Sequence, residues 1–108
     1  MEFSIYQIKR ECVQETVECY LGNYQPRIDH YNRVYTGFIK SYDQFNKQKT
    51  LNTIFHKFND QCPTDYQGKP LSVGDVIELG GSFYLCLSLG WNKVSFEDLT
   101  SKLSRLRL

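Results

Sequence analysis

Apolar and polar positions come close to strict alternation in FSIYQI, where Phe3, Ile5 and Ile8 carry the apolar share and Tyr6 falls on or near the other face. A period of two predicts a first strand, ended by Lys9-Arg10. The period lengthens from Glu11 to Leu21. Val13, Val17, Tyr20 and Leu21 recur at helical spacing, leaving Glu11, Glu15 and Glu18 for the opposite side, and Gly22-Asn23 and Pro26 follow as breakers. A short helix is predicted there. HYNRVYTGFI returns to strand character, with Tyr31, Arg33 and Tyr35 on one parity, Val34 on the other and Gly37 read as a bulge. A second helix is predicted from an N-cap at Thr50, because Leu51, Ile54, Phe55 and Phe58 form one stripe before Asn59-Asp60 and Pro63 end it.

The segment DYQGKP is turn chemistry, with Gly68 suited to positive φ and Pro70 to a fixed φ. Gly74-Asp75 then launches VIEL, and Gly80-Gly81 is a two-residue hairpin signal leading into SFYLCLSL. In that last strand Phe83, Leu85, Leu87 and Leu89 share one parity and are read as the inward face, against Tyr84, Cys86 and Ser88. Ser95 opens S-x-x-D, a capping-box variant, ahead of Phe96, Leu99, Leu103 and Leu106. These predict a C-terminal amphipathic helix over 95–108, with Lys102, Arg105 and Arg107 at the negative end of its dipole. The order strand, helix, strand, helix, hairpin, helix predicts a single α+β domain over residues 1–108. Its core would be a small curved antiparallel or mixed sheet of about four strands packed with two or three helices.

A net charge of +1 supplies no general field toward nucleic acid or an anionic membrane, so any partner must be recognised locally. Cys12, Cys19, Cys62 and Cys86 form no C-x-x-C pair, and two histidines are too few and too dispersed to complete a zinc site. No metal or cofactor is expected. The N-terminal stretch has no apolar core of signal-peptide length and the chain has no run able to span a bilayer. A cytoplasmic protein with reduced thiols is expected.

Candidate catalytic groups are sparse. Asp75 and Glu78 flank Val76-Ile77 like the paired carboxylates of metal-dependent nucleases, but their spacing places them on opposite faces of an ideal strand. Asp75 is read instead as a turn residue bonding its own backbone. His30 and His56 have no oriented partner in sequence, and Cys62, beside Pro63, is read as an exposed, unactivated thiol. The aromatic excess is more informative. Tyrosines interleaved with arginines can anchor a protein interface or stack nucleic-acid bases, and the residues assigned to protein binding are Tyr24, Arg27, Tyr31, Arg33, Tyr35, Tyr42, Tyr66 and Trp91.

IFHKFN, DYQGKPLSVGDVIEL and GGSFYLCLSLGW, together with FSIYQIK and YNRVYTG upstream, resemble the YodL-like family of small bacterial domains across most of residues 3–94. The matching core is Asp65, Tyr66, Gly68, Leu71, Ser72, Gly74, Asp75 and Val76, with Gly90-Trp91 closing the hairpin. The helix from Phe96 onward lies outside that pattern, so its leucine stripe is free to cover the sheet or to pair two copies. The resemblance implies a module of bacteria, phages or mobile elements with no catalytic residues to carry over. The expectation is therefore a non-enzymatic interaction protein that binds and modulates a host or element protein, for instance as an anti-defence inhibitor. The alternative is a nucleic-acid-binding module, because SVGDVIEL also resembles strands of small RNA-binding barrels. A metal-dependent nuclease is the remote third.

Overall fold

The computed structural model describes residues 1–12, 26–40 and 46–95. Five strands form one antiparallel sheet: β1 (Glu2–Ile8), β2 (Tyr31–Phe38), β3 (Val76–Leu79), β4 (Ser82–Leu87) and β5 (Gly90–Val94), in the order β2-β1-β3-β4-β5. One α-helix, α1 (Lys47–Asp60), and one 3-10 turn, Ile28–His30, complete the described elements. The described chain is thus mostly strand. This corrects the α+β expectation of about four strands with two or three helices. The helices predicted from Glu11 and from Ser95 fall, apart from their first residues, outside the described segments.

The additional strand comes from a turn that the apolar run conceals. The predicted strand through Leu89 stops at Leu87, which pairs with Gly90 across Ser88-Leu89, and the chain returns as β5 with Trp91 opposite Cys86. Ser88 and Leu89 keep negative φ, and Gly90 takes φ of 88° to close the hairpin, a position that L side chains disfavour. The Gly80-Gly81 hairpin forms as predicted, both glycines at positive φ, with Leu79 opposite Ser82.

The amphipathic stripe of α1 covers one face of the sheet. Leu51, Ile54 and Phe58 bury themselves against Phe3, Ile5, Ile77 and Leu79, and each fully buried side chain of this size contributes about 1.5–3 kcal/mol. The helix starts earlier than expected. Asn46, not Thr50, is its N-cap, the side chain accepting from Lys49 N–H at 3.0 Å, and Thr50 is buried within the helix. The opposite face gathers Tyr6, Tyr31, Val76 and Leu85. The inward face of β4 is accordingly reversed from the expectation: Tyr84 and Cys86 face α1, Leu85 serves the second cluster, and Leu89 is 96% exposed at the turn. With both faces occupied, β1 is buried from Phe3 to Gln7.

The register of β1 with β2 shifts between Ile5 and Tyr6, which pair with Tyr35 and Arg33, so the extra residue is Val34. The bulge therefore lies at Val34; Gly37 pairs regularly with Phe3. Because a bulge inverts the alternation beyond it, Tyr35 lies on the α1 face and Arg33 and Tyr31 on the other.

Three side-chain amides fasten the remaining chain, each bonding both the N–H and the C=O of one distant residue. Gln7 holds Lys69 (Nε2 donating to O, 2.9 Å; Oε1 accepting from N, 3.0 Å). Asn59 holds Leu71 (Nδ2 to O, 3.1 Å; Oδ1 from N, 2.6 Å). Gln48 holds Trp91 (Nε2 to O, 2.9 Å; Oε1 from N, 3.1 Å). Each amide reproduces the donor-acceptor pairing of a neighbouring strand. The long loop after α1 is thereby pinned to β1 and to α1, and α1 is pinned to the outer edge of β5.

Candidate interaction surface

The end of β2 leaves Phe38 73% exposed, beside Ile39. Together with Lys57 of α1 they wall a groove of about 310 Å³ whose floor is Phe3, Ile54 and Phe58. Lys40 and Thr53 complete it, and no carboxylate lines it among the described residues. Its floor continues into an aromatic cluster. Tyr35 meets Phe58 at 5.0 Å and Tyr66 at 5.8 Å between ring centroids, and Phe58 meets Tyr66 at 4.9 Å, all edge-on. The site is therefore an apolar trough with a cationic rim.

Of the eight residues assigned to binding, Tyr35 and Tyr66 are brought together beside this groove. Both are half-buried, their hydroxyls donating to Asp65 and to the Lys69 carbonyl respectively. Burial pushes the Tyr66 phenol up to about 12, helped by the charge of Asp75, so it remains a protonated donor. Tyr31 is buried on the far face, its hydroxyl donating to the Gly74 carbonyl at 2.6 Å. Arg33 is exposed on that same face. Arg27 forks onto Asp29 at 3.1 and 3.2 Å. Trp91 is 8% exposed at the other end of α1, its indole N–H donating to Asn52 Oδ1 at 3.1 Å. Tyr24 and Tyr42 lie outside the described residues. The six described ones do not form one surface, chiefly because the Val34 bulge separates Tyr35 from Arg33 and Tyr31. Phe38, Ile39 and Lys57 were not singled out from sequence. The signal for Phe38 and Ile39 was GFI, which places apolar residues on both parities where a half-buried strand needs one; Lys57 had none.

The candidate catalytic groups occupy structural positions. Asp75 is 5% exposed, with Oδ2 accepting from Ser72 N–H at 2.9 Å and Gln7 Nε2 at 3.1 Å. Burial raises its carboxyl to about 6, against the opposing pull of those two donors and of Lys69. Glu78 accepts from the Tyr6 hydroxyl at 3.3 Å on the face away from α1. Among the described residues no group of three or more His, Cys, Asp or Glu gathers as a metal site would require. Cys62 is exposed, its thiol 2.7 Å from the Phe58 carbonyl. The Cys86 thiol is held up at about 11 by burial and then by Asp75, so it is not an activated nucleophile. His56 lies 3.9 Å from Asp60, both largely exposed.

A family model for the YodL-like domain matches residues 2–96. The chain belongs to this family. No curated protein and no solved structure matches it. In this YodL-like domain the residues that carried the resemblance hold the loop between α1 and β3. Phe58 and Leu71 are core, Asn59 clasps Leu71, Tyr66 caps Lys69, and Asp75 ties Ser72 to Gln7. No helix among the described residues is long and apolar enough to cross a membrane.

Proposed function

We propose that this YodL-like domain is a non-enzymatic interaction module that binds and modulates a protein partner through the groove between the end of β2 and α1. The observation that supports it most is Phe38. A phenylalanine held 73% exposed over an apolar floor gains from desolvation only when something covers it. Aromatic anchors at the centre of a groove with a polar rim are the usual makeup of binding hot spots.

The test is capture from bacterial lysate by the tagged chain and by its Phe38→Glu variant, each with and without nuclease. A stoichiometric protein retained by the parent, resistant to nuclease and lost with Phe38→Glu is the expected result. Capture that ignores Phe38→Glu, or that vanishes with nuclease, defeats the proposal; the latter would turn attention to nucleic acid.

A further inference from the structure

We propose that the partner is an extended, acidic-apolar peptide segment that adds to the sheet as a strand along β2, a deepening that rests on the reading above. β2 is an edge strand of the described sheet, and the hydrogen bonds at its end settle which of its groups face outward. Met1 and Ile39 exchange both bonds, Ile39 N to Met1 O at 2.9 Å and Met1 N to Ile39 O at 3.2 Å. In an antiparallel ladder the bonded and non-bonded pairs alternate. Gly37 with Phe3 and Tyr35 with Ile5 are therefore bonded pairs, whereas Phe38 with Glu2 and Thr36 with Ser4 are non-bonded ones. The backbone N–H and C=O of Thr36 and Phe38 consequently point away from β1, toward the place where a sixth strand would lie.

The two edges of the sheet are not equivalent. On β5 the outward groups of Trp91 are closed by the Gln48 amide. Among the described residues β2 has no such clasp at Thr36 or Phe38, and the Val34 bulge limits an incoming strand to about the stretch from Tyr35 to Lys40. That stretch borders the groove. Side chains of an added strand alternate in direction, so those pointing toward α1 enter the trough floored by Phe3, Ile54 and Phe58. Lys40 and Lys57, with no carboxylate lining the groove among the described residues, favour acidic residues next to the apolar anchors. The same lysines disfavour a second copy of this chain as the occupant, since two cationic rims would meet.

The probe is a displayed library of random linear peptides selected on the full chain, followed by hydrogen exchange and binding with the best synthetic peptide. Enrichment of alternating apolar residues with acidic neighbours is expected. Binding should slow exchange at the Thr36 and Phe38 amides and leave Tyr35 and Gly37, already bonded to β1, unchanged. Phe38→Pro, which removes the outward N–H as well as the ring, should bind about fivefold to tenfold more weakly than Phe38→Ala, the worth of one hydrogen bond. A peptide that seats in the groove and shifts Ile39 and Lys57 resonances without protecting Thr36 and Phe38 overturns strand addition but spares the interaction module. Failure to enrich any peptide overturns strand addition, and the interaction module falls with it only if lysate capture also ignores Phe38→Glu. Protection of Thr36 and Phe38 that rises with protein concentration, without peptide, names a second copy as the occupant and overturns the proposal.

Discussion

Tyr84 places its hydroxyl in the core, where it has no hydrogen-bond partner among the described residues, while its ring packs in the α1-facing cluster with the Lys47 ammonium 5.9 Å from the ring centroid. A buried hydroxyl without a partner carries a desolvation cost that a phenyl ring does not. Tyr84→Phe should therefore raise stability by about 1 kcal/mol, read as a higher midpoint in urea with an unchanged slope. Asp75 is the other polar group in a costly position. Its carboxyl titrates at about 6 when folded, above the ordinary 3.8, so the folded protein keeps a proton that the unfolded chain has lost. The sign follows: Asp75 favours folding at acidic pH, and that contribution is lost as pH rises from about 4 to about 6. The loss is on the order of 2–3 kcal/mol. In Asp75→Asn, whose amide oxygen can still accept from Ser72 and Gln7, this fall should disappear, leaving a flatter stability profile by chemical denaturation over that window. An unchanged pH profile would remove burial as the cause.

At the level of elements, the amide clasps decide which pieces stay together. Asn59→Ala frees both the N–H and the C=O of Leu71, so a loss of about 2 kcal/mol is expected. Early hydrogen-exchange opening should be confined to the loop from Gln61 to Gly74. Asn59→Asp keeps only the acceptor and should recover part of the loss. The clasps also mark the limit of what local patterns reveal. The stripe Leu51, Ile54, Phe58 and the Gly80-Gly81 turn are legible because their causes lie within a few residues of one another. Gln7, Gln48 and Asn59 look like ordinary polar residues, since their partners are 62, 43 and 12 positions away. β5 was hidden for a different reason. Leu87-Ser88-Leu89 continues the strand alternation, and its turn is closed by Gly90, one residue later than a two-residue glycine signal would place it.

On the scale of the whole molecule, the described sheet has one edge clasped at Trp91 by a side-chain amide and one that ends beside an apolar groove. Phe38→Ser should leave the thermal midpoint nearly unchanged, within about 0.5 kcal/mol, because the ring is exposed, while weakening partner binding severely. Lys57→Glu should weaken binding of an acidic peptide and flatten its salt dependence, because Lys40 alone then faces the new carboxylate. The sequence by itself determined the Gly80-Gly81 turn, the stripe of α1, the strand character of β1 to β4 and the family, because each is written in neighbouring residues or in a contiguous motif. Tertiary structure alone decided which face of β4 is inward, where β2 bulges, how Arg33 and Tyr35 part, and that β2 and β5 form the edges of the described sheet. Those outcomes depend on register between strands far apart in the chain, and a shift of one residue in register exchanges the two faces without changing any local pattern.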